Sequence, residues 1–286
     1  MPTAEVGTKE GVTSVDVKTT YEEHELDCRI YKPDNLEENE KRPTMIWSFG
    51  GGFVFGSTNS PEEDVTCREL VKRNGIVVIS VNYRLAPEHP HPAAIDDVCN
   101  ALLWAKNGDS EELQNVDTEK LFLGGYSAGA NLSLVSTQEM IKDDKEELVK
   151  AIVCFFPPLM HKPTVESRKK SPKAWTLTKN QLDFFEYCYL GKERDDKYER
   201  EDVNPTKAKT MEKYPPTFIL TGTRDPLYDE SFVLKKKMEN DGVKVVLKSY
   251  KNGVHGFHQY HYLPYTKKAY EEITDFLKSN DLYAKK

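Results

Sequence analysis

The feature that most constrains this chain is the pentapeptide Gly125-Tyr126-Ser127-Ala128-Gly129. An apolar, strand-like run, Lys120-Leu121-Phe122-Leu123-Gly124, leads into it, and a helix-like run, Asn131-Leu132-Ser133-Leu134-Val135, leaves it. No spare residue separates the two, so the chain must turn within the pentapeptide. A turn that tight needs small residues on either side of the serine. The serine then stands exposed at the tip of a strand, with the Ala128 amide beside it. Such a turn belongs to folds in which strands alternate with helices.

The rest of the sequence repeats that alternation. Strands are expected at 12–19 and 25–31, where Leu26, Cys28 and Ile30 alternate with polar residues as in a half-buried antiparallel strand. A polar loop over 33–42 leads to a strand at 44–49. A helix then starts at Ser60, with Pro61 at its first position and Glu63 completing a capping-box pattern, and Gly75 ends it. The run Ile-Val-Val-Ile-Ser-Val within 75–82 reads as a parallel strand buried on both faces. A helix at 93–106, the strand at 120–124, the helix after Ser127 and a strand at 151–156 follow. Residues 159–214 lack strand character and carry many charges and aromatics. The stretch is too long for an ordinary loop and reads as a mostly helical insertion. A strand at 217–221, a helix at 228–240, a strand at 243–250 and a helix at 265–279 complete the chain. The pattern predicts a single α/β domain over 1–286, with a mostly parallel central sheet and helices on both faces.

The chain has 286 residues, enough to bury a core without disulfides or metals. Its formal net charge of −7 argues against a nucleic-acid partner. With 30% charged residues and no long apolar run, no membrane anchor is expected. The polar first eleven residues do not read as a signal peptide. Five cysteines, Cys28, Cys67, Cys99, Cys154 and Cys188, show no pairing pattern, which suits a reducing compartment and a cytoplasmic location. No histidine pair has metal-ligand spacing beside cysteines or carboxylates, so neither metal nor cofactor is expected.

A serine hydroxyl becomes a good nucleophile when a base removes its proton and a third group orients that base. Asp225 follows the strand Phe218-Ile219-Leu220-Thr221, in Gly222-Thr223-Arg224-Asp225-Pro226. His255 follows the strand at 243–250, in Gly253-Val254-His255-Gly256-Phe257. Both lie at carboxyl ends of strands, the same sheet edge as Ser127, where such folds bind ligands. Asp225 could instead cap the next helix, and Asp229 competes from one helical turn later. His258 and His261 compete with His255, which alone has flanking glycines that let its loop bend. His24 is expected on a solvated strand face. A second determinant is Phe49-Gly50-Gly51-Gly52-Phe53, directly after a strand. Consecutive glycines let the backbone approach a ligand and present free N–H groups, which stabilise the oxyanion of acyl transfer. A phosphate-cradling role is disfavoured, because the loop lacks the Lys-Ser/Thr ending of a P-loop and the spaced third glycine of a dinucleotide site.

Taken together, these segments resemble the hormone-sensitive-lipase-like branch of the α/β-hydrolases. The matching stretches are Phe49-Gly50-Gly51-Gly52-Phe53-Val54-Phe55-Gly56-Ser57, Asn82-Tyr83-Arg84-Leu85-Ala86-Pro87-Glu88-His89-Pro90, Gly125-Tyr126-Ser127-Ala128-Gly129, Asp225-Pro226-Leu227 and His255-Gly256-Phe257. The resemblance implies an α/β-hydrolase fold with a helical cap insertion. It implies Ser127, Asp225 and His255 as a catalytic triad and the amides of Gly51, Gly52 and Ala128 as the oxyanion hole. It also implies that Arg84 and Glu88 brace loops beneath the site. Phe49 stands where the family usually has histidine, Tyr126 where aspartate is common, and Ala130 where glycine is common. The family often has helices ahead of its first strands; here the cap is expected mainly from 159–214.

The implied activity is that of a serine carboxylesterase on small, uncharged, short-acyl esters, working through an acyl-enzyme. Related folds cleave amides such as aryl formamides and acetanilides, and the residues do not choose between these leaving groups. A plant gibberellin receptor also resembles the family and binds without hydrolysis; the loss of the histidine that marks such a receptor is not seen here. Phe53 and Tyr126 are expected to crowd Ser127 beneath an open outer mouth. Trp175, Phe184, Phe185, Tyr187 and Tyr189 are the aromatics the insertion can contribute, with Phe184, Tyr187 and Cys188 at a helical spacing that suits packing on the sheet.

Overall fold

The computed structural model describes residues 7–9, 11–159, 166–169 and 176–284. Among the described residues, nine strands form one sheet in the order β1-β2-β3-β5-β4-β6-β7-β8-β9. At one edge, β1 (Gly7–Lys9), β2 (Val12–Tyr21) and β3 (His24–Pro33) pair antiparallel, and β3 also runs antiparallel to β5 (Val77–Val81). From β5 onward the ladder is parallel, through β4 (Arg42–Ser48), β6 (Val116–Tyr126), β7 (Ile152–Phe155), β8 (Thr217–Gly222) and β9 (Val245–Tyr250). The expected α/β architecture is the one observed. The short β1 has no counterpart in the sequence reading, since three residues carry no readable period.

Strand alternation divides the core into two layers. Ile46, Ile79, Leu121, Leu123 and Ile219 face α2 (Ala93–Asn107), α3 (Ala128–Lys142) and α7 (Tyr228–Asn240). Met45, Trp47, Val78, Phe122 and Phe218 face α1 (Pro61–Asn74) and α8 (Pro264–Ser279) on the other side. Within residues 159–214 the described α-helices are α4 (Glu166–Lys169), α5 (Lys179–Leu190) and α6 (Arg194–Lys197). α5 starts on a reciprocal capping box between Thr178 and Gln181.

Three local expectations need correction. Ser60 is the N-cap of α1 and Pro61 its first residue, but no side-chain cap bond forms. Glu63 turns inward instead, fully buried, where Ser80 Oγ, Trp47 Nε1 and Cys67 Sγ donate to it. His24 is half-buried rather than solvated, because its strand face meets α2 and its Nε2 lies 2.8 Å from Asp97 Oδ1. In α5 the inward stripe is Leu182, Glu186 and Tyr189, while Phe184 and Tyr187 are exposed. Both stripes have helical spacing, so periodicity alone could not separate them. Among the described residues no helix is long and apolar enough to cross a membrane.

Candidate active site

β6 ends at Tyr126 and α3 begins at Ala128, so Ser127 alone makes the turn. Its φ of 52° with ψ of −121° is a conformation that residues with a Cβ rarely adopt. Such a residue stores about 1–3 kcal/mol of strain, held in place by its surroundings. Here the Ser127 amide donates to the Phe155 carbonyl at 2.8 Å, and its own carbonyl accepts from Ala130 and Asn131. A Cβ on Gly129 would lie 1.9 Å from the Ser48 carbonyl oxygen. The first turn of α3 therefore touches the end of β4, which explains the glycine.

His255 reaches Ser127 from the loop after β9. Its Nε2 lies 2.9 Å from Ser127 Oγ and its Nδ1 2.8 Å from Asp225 Oδ2. Asp225, in the turn between β8 and α7, is buried, and its Oδ1 accepts the Leu227 amide at 2.8 Å. One carboxylate oxygen is thus fixed by the turn while the other holds the imidazole. With Nδ1–H donating to Asp225, the lone pair of Nε2 faces the serine hydroxyl. The capping role weighed for Asp225 and its contact with His255 coexist, one on each oxygen. Asp229 points elsewhere, accepting the Ser167 amide at 2.8 Å. His258 is fully buried among the rings of Tyr126, Phe155 and Phe156. Burial, reinforced by His255 and His261, holds its pKa well below the ordinary histidine value, so it stays neutral.

The glycine loop follows β4. Gly51 has φ of 134°, and a Cβ there would meet the Phe55 carbonyl oxygen at 1.9 Å. Its carbonyl accepts the amides of Val54 and Phe55, closing the loop on itself. The Ala128 amide lies in the first turn of α3, where N–H groups have no intrahelical acceptor and the helix dipole favours negative charge. A cavity of about 30 Å³ adjoins Ser127 and Gly52. It is walled by Phe53, Leu177, Leu182, Phe185 and Leu227, with one charged residue, Glu186. Phe53 stacks on Tyr189 at 3.9 Å between ring centroids. Phe185 packs so closely on Gly52 that a Cβ there would fall 2.3 Å from its ring. Phe185 therefore covers part of the glycine loop, while Ser127 and His255 remain partly exposed. Trp175 lies outside the described residues. Leu177, Leu182, Leu227 and Glu186 went unnoticed in the sequence. Leu227 had a signal in its place after Asp225-Pro226, whereas a glutamate on a charged helix reads as solvated.

The comparisons agree with this fold. The model of a family described as having the alpha/beta hydrolase fold matches residues 45–259. An arylesterase of Saccharolobus solfataricus is 30% identical over 244 residues, 85% of this chain and 76% of its own. A probable carboxylesterase 8 of Arabidopsis thaliana is 28% identical over 268 residues, 88% of this chain and 80% of its own. The solved structure of an esterase from Pyrobaculum calidifontis superposes with a TM-score of 0.83 at 30% identity, covering 94% of this chain and 85% of that one. Fold, matched segments and relatives converge: the chain belongs to the hormone-sensitive-lipase-like family of α/β-hydrolases.

Proposed function

We propose that the protein is a serine carboxylesterase that hydrolyses small, uncharged, short-acyl esters through an acyl-enzyme. The observation that carries this reading is the unbroken contact from Asp225 Oδ2 through His255 to Ser127 Oγ, at 2.8 and 2.9 Å. The esterase and carboxylesterase names of its relatives support it. Ser127 Oγ attacks the ester carbon while His255 Nε2 takes its proton, and Asp225 steadies the imidazolium. The amides of Gly51, Gly52 and Ala128 donate to the oxyanion. The tetrahedral intermediate collapses, and the alcohol leaves with the proton from His255. Water then repeats the sequence on the acyl-enzyme, releasing the acid and restoring Ser127.

In this reading residues 159–214 are a cap inserted into a single domain spanning 1–286, and α5 supplies the roof of the cavity. The five cysteines are free, which supports a reducing, cytoplasmic setting. The test is Ser127→Ala, compared with the unchanged enzyme on 4-nitrophenyl acetate and by labelling with a fluorophosphonate probe. Loss of labelling and a fall in kcat of about 10⁴-fold or more are expected, since a triad acts as a unit. A folded variant that keeps most of its esterase activity would rule the assignment out.

A further inference from the structure

Among the described residues, one charged side chain reaches the cavity beside Ser127, and it belongs to a buried ionic group. Glu186 of α5, Arg168 of α4 and Glu230 of α7 have side chains 5%, 3% and 0% exposed. Arg168 Nη1 donates to Glu186 Oε1 at 2.7 Å, while Nε and Nη2 donate to the two oxygens of Glu230. The Tyr198 hydroxyl donates to Glu186 Oε2, and the Leu159 amide to Glu230 Oε2 at 2.6 Å. Burial alone would lower the Arg168 pKa; the two carboxylates more than reverse this.

Two carboxylates face one guanidinium, so the group carries a formal charge of −1, and Glu186 brings it to the cavity wall. Glu186 ties α5 to α4 through Arg168, while holding α4 against α7 does not require that carboxylate. Arg168 and Glu230 already join the two helices, and Ser167 and Asp229 bond reciprocally alongside, backbone to side chain, at 2.8 and 3.2 Å. Buried ions are also poor sources of stability compared with apolar residues of similar volume. The excess charge has its clearest consequence inside the cavity, where little water screens it.

We propose that Glu186 makes the cavity charge-selective, admitting uncharged and cationic substrate groups and rejecting those that carry a carboxylate. A carboxylate entering here sheds its hydration and meets like charge. Among the described lining residues the donors are those that serve the reaction, Ser127 and the Gly52 amide; beside Glu186 the wall is Leu177, Leu182, Phe185 and Leu227, whose side chains are apolar, and each guanidinium nitrogen of Arg168 already bonds a carboxylate. Glu186 is thus a specificity determinant of the esterase proposed above, on which this inference rests.

The test uses two aryl esters of nearly equal shape, 4-nitrophenyl hemisuccinate and 4-nitrophenyl levulinate, which differ by a carboxylate against a methyl ketone. The unchanged enzyme is expected to favour the levulinate in kcat/KM by about tenfold or more. Glu186→Gln keeps the side-chain shape and should narrow that ratio by about tenfold, the levulinate serving as the internal reference for any general effect of the substitution on turnover. A second measurement needs no variant. The 4-nitrophenyl ester of 4-(trimethylammonio)butyrate should be turned over at least as well as its neutral isostere, the 5,5-dimethylhexanoate. An unchanged ratio in folded Glu186→Gln overturns the inference while leaving the esterase reading intact. So does rejection of the cationic ester as strong as that of the anionic one. Failure of the unchanged enzyme to hydrolyse 4-nitrophenyl acetate overturns the esterase reading and this inference with it, whereas turnover of the acetate without turnover of the levulinate overturns this inference alone.

Discussion

The ring of Phe49 lies on the ring of Tyr83, 4.3 Å between centroids and within 20° of parallel, and the Tyr83 hydroxyl donates to the Phe49 carbonyl at 2.8 Å. Phe49 is buried, and it also packs on Gly56, where a Cβ would fall 2.5 Å from the ring. Family members usually carry a histidine here; this chain holds the start of its glycine loop by stacking and shape.

Phe49→Ala should therefore loosen the loop. A loss of about 3–5 kcal/mol in stability is expected from the cavity left behind. Misplaced oxyanion donors weaken the transition state selectively, so kcat should fall more than KM rises, by about tenfold to a hundredfold. Urea titration and steady-state kinetics measure the two effects, and an unchanged kcat would mean that other contacts hold the loop.

Asp225→Asn keeps a side-chain oxygen for the Leu227 amide but no longer holds Nδ1 of His255 as a donor toward a carboxylate. A fall in kcat of about 10⁴-fold is expected, with near-native thermal stability. Comparable turnover by the variant would show that Asp225 does not orient the base.

Acyl length should matter sharply, because the cavity beside Ser127 is small and its roof is Phe185. For nitrophenyl esters, kcat/KM should peak between acetate and butyrate and drop steeply by octanoate. Phe185→Ala removes the ring resting on Gly52 and should move the optimum to longer chains, each newly buried methylene adding about 0.8 kcal/mol. A peak at decanoate or beyond in the unchanged enzyme would reveal an acyl tunnel and refute this.

Glu63 gives a stability signature. Burial pushes its carboxyl from an ordinary 4.5 up to about 7, against the bonds from Ser80, Cys67 and Trp47. Between these values the folded protein keeps a proton that the unfolded chain has released. The Glu63 contribution to stability therefore declines as pH rises from about 4.5 to about 7 and levels off above that. Glu63→Gln abolishes this dependence. Unfolding free energies of both proteins, measured from pH 4.5 to 8, should diverge in favour of the variant as pH rises; a constant difference would contradict the assignment.

The segments around Ser127, Asp225 and His255 were legible because each follows a strand with a strong apolar run, and α/β topology puts strand ends on one edge. The parallel strands were legible for the same reason: Val77–Val81 and Thr217–Gly222 are apolar enough to be read without partners. What the sequence could not contain is which face each helix presents across space. Glu63 looks like a capping residue because the i, i+3 pattern is local, but the sheet above α1 draws it inward to Ser80 and Trp47. Glu186 looks like a solvated helix residue, yet Arg168 and Tyr198 hold it buried at the wall of the cavity. Local chemistry is written in neighbouring residues, so turns, strands and the placing of Ser127, Asp225 and His255 at strand ends follow from the sequence. Burial and charge pairing depend on residues tens of positions away, and only the folded chain brings them together.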